Sequence, residues 1–175
     1  MSIKSRKDNR SILQFSKDIK LHTLKELYLM KLWAGEMGKQ GYSIRYEDYG
    51  CGNNGELLTK SNNNPDYKIW INGKEKLLEI KNSPSCDRWT FKLVDLKSYI
   101  KQGASILIVW GTGRIEMNPS SYNKENTRYG IISTKKIKKM LEYYTPYKER
   151  LFGFKICICV PKTDFNKWVK IRKIS

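Results

Sequence analysis

Asp66, Glu79 and Lys81 are the residues of this chain whose types and spacing could do chemistry. Asp66 ends the run Asn64-Pro65-Asp66, and the other two belong to Glu79-Ile80-Lys81. Between them lies Asn72-Gly73, a dipeptide suited to the two-residue turn of a β-hairpin. With that pair as the turn, Ile71 faces Lys74, and counting outward sets Asp66 opposite Glu79. Two carboxylates directly opposite on neighbouring strands repel. A hard cation such as Mg²⁺, which takes carboxylate oxygens, reverses that sign. Lys81 lies two residues past Glu79 and so projects from the same face. One hairpin then offers two metal ligands and one ammonium on one side.

The opposite face of this register carries Tyr67, Ile69, Ile71, Leu78 and Ile80, an apolar surface. A one-residue slip would swap the faces and bury the charges. A four-residue loop, residues 72–75, would keep the faces but pair Asp66 with Lys81. The plain alternative to a metal site is an amphipathic hairpin with a solvated charged face.

The flanking pattern defines the elements that must position these groups. Residues 20–40 carry helical stripes, one of Leu21, Leu24, Leu27, Tyr28 and Leu32 and another of Met30, Trp33 and Met37. Thr23 with Glu26 matches a capping box, and Gly38 and Gly41 end the helix. Residues 42–46 alternate as a strand, and 48–64, rich in Gly and Asn, read as a loop. The hairpin spans about 65–82, and Pro84 interrupts the chain. Residues 90–102 predict a second helix with Phe91, Val94, Leu96, Tyr99 and Ile100 as its apolar positions, stopped by Gly103. Residues 104–110 are almost wholly apolar, as in a strand buried on both faces. Residues 111–128 are polar, 129–133 a strand, and Ser133 or Thr134 caps a third helix that Pro146 ends. Strands follow over 152–160 and 168–174. The order α-β-β-β-α-β with C-terminal additions implies an α/β fold, a mixed central sheet flanked by helices. Residues 1–18 read as a basic lead-in and 19–175 as a single domain, with a core at 20–110 and an extension at 111–175.

The 175 residues carry 34 Lys and Arg against 17 Asp and Glu, a formal charge of +17. Such an excess attracts polyanions, nucleic acid above all. No apolar run has the length of a membrane span, and residues 1–16 lack the apolar stretch of a secretory signal. Cys51, Cys86, Cys157 and Cys159 have no zinc-ligand spacing and fit iron–sulfur spacing poorly; reduced thiols and a cytoplasmic location are expected. His22, the sole histidine, leaves little room for histidine chemistry and reads as a surface residue near a helix start.

With Pro65-Asp66 and Glu79-Ile80-Lys81 on the central hairpin, the chain resembles the PD-(D/E)XK nuclease superfamily over about residues 20–110. Within it the likeness is to Holliday junction resolvases and small type II restriction endonucleases. The resemblance implies a restriction-endonuclease-like core and a Mg²⁺-dependent DNA endonuclease, with Mn²⁺ as a substitute. It implies Asp66 and Glu79 as metal ligands, the Ile80 carbonyl as a third, and Lys81 as the group that orients or activates water. These enzymes often add a first-helix glutamate; Glu26, on the stripe of Met30, Trp33 and Met37, is preferred here over Glu36. Gln102 is a further candidate at the site. Arg88 and Lys92 are candidates for DNA phosphate contact, and Trp89 for the core. Cutting two strands favours a homodimer. The competing expectation is a basic DNA-binding protein that keeps the fold without activity; an RNA-processing nuclease ranks third.

Overall fold

A computed structural model of the chain describes residues 12–50, 64–83, 87–111 and 126–174, with side chains from residue 21 onward. Cys51, Cys86, Pro84 and most of the 48–64 and 111–128 loops lie outside these residues, as do residues 1–11 of the lead-in.

The first helix, α1, spans Ile12–Lys39. It reaches back into the stretch read as lead-in, so Thr23 and Glu26 sit mid-helix and form no capping box. His22 is likewise a mid-helix surface residue, its side chain 70% exposed. Two apolar stripes cannot both face one sheet. The sheet takes Met30, Trp33 and Met37 together with Leu29, while Leu21 and Leu24 of the other stripe stand 50% and 63% exposed. The helix ends in a Schellman motif: the Tyr42 N–H donates to the Met37 carbonyl and the Gly41 N–H to that of Gly38, with Gly41 at φ +83°.

Strands β1 (Ile44–Asp48), β2 (Tyr67–Ile71) and β3 (Lys74–Ser83) form an antiparallel meander. Strand β4 (Arg88–Lys92) comes next, then helix α2 (Leu93–Gln102) and strand β5 (Ser105–Trp110), which pairs parallel to β3. Strand β6 (Arg128–Ile132) and the short β9 (Arg172–Lys173) complete a six-stranded mixed sheet in the order β1-β2-β3-β5-β6-β9. Helix α3 (Thr134–Tyr143) follows β6, its N-terminus capped by the Ser133 hydroxyl, which accepts from the Lys136 N–H. Strands β7 (Tyr147–Glu149) and β8 (Lys155–Pro161) join β4 in a second sheet, ordered β4-β8-β7, and a one-turn helix α4 (Phe165–Trp168) precedes β9.

The fold is α/β with a mixed central sheet and helices on both sides. Residues 88–92 correct the sequence reading: Phe91 lies in β4, not in the second helix, and Val94 is exposed. A five-residue strand that packs Trp89 and Phe91 inward and runs straight into a helix carries no period of its own to mark it. Strand β5 is buried on both faces as its composition requires. Ile106 and Ile108 join the core under α2, α3 and the second sheet; Leu107 and Val109 join the one under α1. The 157–159 thiols are free and lie in β8. No described helix is long and apolar enough to cross a membrane.

Candidate active site

Asn72 and Gly73 take φ of +49° and +80°, as a type I′ turn requires, and Ile71 pairs with Lys74. The ladder runs out to Tyr67–Leu78, so Asp66 falls across from Glu79. The four-residue loop is thereby excluded. Tyr67, Ile69, Leu78 and Ile80 all point into the core beneath α1.

The strands part at Asp66. Strand β3 continues for five residues past Leu78 with β5 on one side and no ladder to β2 on the other. The Ile80 N–H on that open edge is taken by the Asp66 side chain, 2.7 Å from Oδ2. Asp66 is held in turn by its own carbonyl, which accepts from the N–H groups of Tyr49 and Gly50 at 2.9 and 3.2 Å. Gly50 has to be glycine here: a Cβ would stand 2.6 Å from the carbonyl oxygens of both Asn64 and Pro65.

Glu79 is buried, 4% exposed, so its face of the hairpin is not the solvated one of the plain alternative. The Lys81 ammonium donates to Glu79 Oε1, and the Tyr99 hydroxyl of α2 bonds the same carboxylate. Burial, reinforced by Glu79 and then Glu26, raises the Asp66 carboxyl well above the ordinary carboxylate range. Burial alone would lower Lys81, but Glu79, Asp66 and Glu26 outweigh it and hold the ammonium charged. Burial and Glu79 likewise raise the Tyr99 phenol.

Glu26 stands one turn before Met30 on the inward stripe of α1 and exerts its charge on Asp66 and Lys81. Its side chain is 16% exposed, and Oε1 meets His22 Nδ1 at 3.1 Å. Glu36 lies ten residues further along α1, about 15 Å of helix rise, and pairs with Lys39 at 3.5 Å. The structure therefore brings Asp66, Glu79, Lys81 and Glu26 together and leaves Glu36 aside. Gln102 bonds Ser98 on its own helix. Trp89 is core.

Lys81 and Glu26 line a cleft of about 480 Å³ that Arg88, Lys92, Leu151 and Phe152 also line. Tyr99 and Asn82 also line it and were not singled out from sequence. Tyr99 had a signal, a hydroxyl on an otherwise apolar helical stripe. Asn82 donates to the Val109 carbonyl at 3.2 Å.

Among the described residues no three His, Cys, Asp or Glu side chains stand at metal-ligating separations. The fit to a cation rests on the donor set. Three carboxylates with hard oxygen donors surround the Lys81 ammonium, and their surplus charge adds to burial, the larger cause, in raising the Asp66 carboxyl. A divalent ion would compensate the same surplus. No protein-family model matches this chain, and no curated protein matches it at a significant level.

Proposed function

We propose that this chain is a Mg²⁺-dependent DNA endonuclease of the PD-(D/E)XK type, with Mn²⁺ able to substitute and with a restriction-endonuclease-like core formed by α1, β1–β3, α2 and β5. One observation carries the reading: Asp66, Glu79 and Lys81 meet where β2 and β3 part, with Glu26 beside them. Asp66 and Glu79 would hold the metal, joined by the Ile80 carbonyl and Glu26. Bound there, the ion would polarise a phosphate and lower the pKa of a coordinated water. Lys81, held as an ammonium by the carboxylates, is suited to stabilise charge that builds on the phosphate oxygens. Its release from Glu79 on metal binding would free it for that task. The Tyr99 hydroxyl, bonded to Glu79, would help keep that carboxylate oriented. Arg88 and Lys92, which also line the cleft, would take backbone phosphates.

The substrate is a four-way junction or a specific duplex site, and either favours a homodimer acting inside the cell. The test is cleavage of plasmid, linear duplex and junction DNA in Mg²⁺ and in EDTA, with Asp66→Ala and Lys81→Ala beside the wild type. Metal-dependent cutting that both variants lose is expected. Tight binding with no cutting of any substrate would instead identify an inactive DNA-binding relative.

A further inference from the structure

The connection between β7 and β8, residues 150–154, displays apolar side chains that a folded chain ordinarily hides. Leu151 is 79% exposed, Phe154 65%, and Ile156 just beyond it 50%. The loop is firmly built. The Glu149 carboxylate accepts from the Leu151 N–H at 3.1 Å and from the Tyr147 hydroxyl at 2.7 Å, and the Phe154 N–H closes onto the Glu149 carbonyl at 2.9 Å. Phe154 itself sits at φ +60°, a region that a bulky side chain enters only at a cost. A connection selected only for turning would place glycine or asparagine there. Two unfavourable features, exposure and backbone strain, thus coincide on one phenylalanine.

The frame around these side chains is cationic. Lys148, Arg150 and Lys155 are exposed on and beside this connection, while the one acid among them, Glu149, is 8% exposed at the cleft wall with its carboxylate bonded by Tyr147 and the Leu151 N–H. The Lys92 ammonium stands 5.5 Å from the Phe152 ring, and Leu151 and Phe152 line the cleft that holds Lys81. A ligand with negative charge outside and flat apolar faces inside suits this surface, and nucleic acid has that form. Apolar side chains wedge between base steps, and aromatic rings stack on unpaired bases. In uniform duplex those faces are already stacked on each other; at a branch point they are open.

We propose that residues 150–154 form a base-stacking wedge that engages exposed bases at a DNA branch point while the strand backbone lies in the cleft. This rests on the nuclease reading and deepens it, selecting branched DNA over uniform duplex. The test uses the full chain in EDTA, with 2-aminopurine at the branch of a four-way junction or inside a linear duplex. Wild type should raise the fluorescence of the junction probe and not that of the duplex probe. Phe154→Gly relieves the backbone, so its melting temperature should hold or rise. It should nonetheless lose most of the fluorescence change and about tenfold in junction affinity, with duplex affinity kept. Leu151→Ala should act in the same direction. No fluorescence change in wild type, or an undiminished one in both variants, overturns the wedge. So does a dimer that both variants convert to monomer while junction fluorescence persists, which would assign the loop to a second copy. Binding to anionic vesicles that the variants abolish, with no fluorescence change, would assign it to a membrane and overturn the wedge equally. Cleavage in Mg²⁺ is scored separately: unstacking without cutting sinks the nuclease reading alone, and cutting without unstacking sinks the wedge alone.

Discussion

Asp66 carries a cost that the fold alone does not need. Its folded carboxyl binds a proton more tightly than the unfolded one, so the native state holds more protons than the unfolded state through that window. Metal-free stability therefore falls as pH rises from about 4, the ordinary aspartate value, toward the raised native value, and the full penalty stands above it. Asp66→Asn keeps an acceptor for the Ile80 N–H and removes the charge. In EDTA at neutral pH it should stabilise the protein by about 1 kcal/mol and flatten the pH dependence of melting, and in Mg²⁺ it should abolish cleavage. Calorimetry across pH 4–9 checks this; a destabilised variant would contradict it. Mg²⁺ should raise the melting temperature of the wild type and not of Asp66→Asn. Lys81→Ala should have the opposite effect from Asp66→Asn, since it strips the Lys81 ammonium from Glu79 and Asp66. Lys81 is 36% exposed, so solvent screening limits the loss to about 1–2 kcal/mol, below that of a fully buried pair. Added Mg²⁺ should recover part of it, read as a larger thermal shift than in wild type.

At the scale of elements, α1 and the β1–β3 meander determine whether these groups meet. The two stripes of α1 separate cleanly by mutation. Trp33→Ala empties a fully buried site and should cost about 3–5 kcal/mol, whereas Leu24→Ala should change stability by less than about 0.5 kcal/mol; denaturant melts read both. Gly50→Ala drives a Cβ into the carbonyls of Asn64 and Pro65. It should cost about 1–3 kcal/mol and disturb the anchor of the Asp66 carbonyl, so cleavage should drop further than Asn64→Ala would make it. The hairpin register was readable from sequence because Asn72-Gly73 admits one turn type and the period of two then assigns every face. Strand β5 was readable for a similar local reason, and the cap of α3 was readable to within Ser133 or Thr134. The choice between stripes on α1 was not, since only the sheet beneath decides it. Nor was Tyr99 over Glu79, a meeting of residues twenty apart that depends on the short β4 turning the chain before α2. Gly50 was invisible for the same reason: its requirement comes from Asn64 and Pro65, brought near by the β1–β2 pairing.

At the scale of the whole molecule, the charge of +17 favours polyanions in general but says nothing about where one would lie. Salt dependence separates the two. Each phosphate neutralised contributes about −0.9 to the slope of log affinity against log salt on duplex DNA. If the strand runs through the Lys81 cleft, Arg88→Ala with Lys92→Ala should make the slope shallower by about 2, because both side chains line that cleft. Lys135, Lys138 and Lys139 are exposed on α3 and do not line it. Removing those three charges takes more from the net charge than the Arg88 and Lys92 pair, yet should leave the slope nearly unchanged. Binding measured in EDTA from 50 to 300 mM salt keeps catalysis out of the comparison. Equal slopes for the two variant sets would mean that the charge acts as a diffuse field. A steeper loss from the α3 set would move the DNA to that helix, and the carboxylates at the β2–β3 fork would then lie too far from phosphate to cut it.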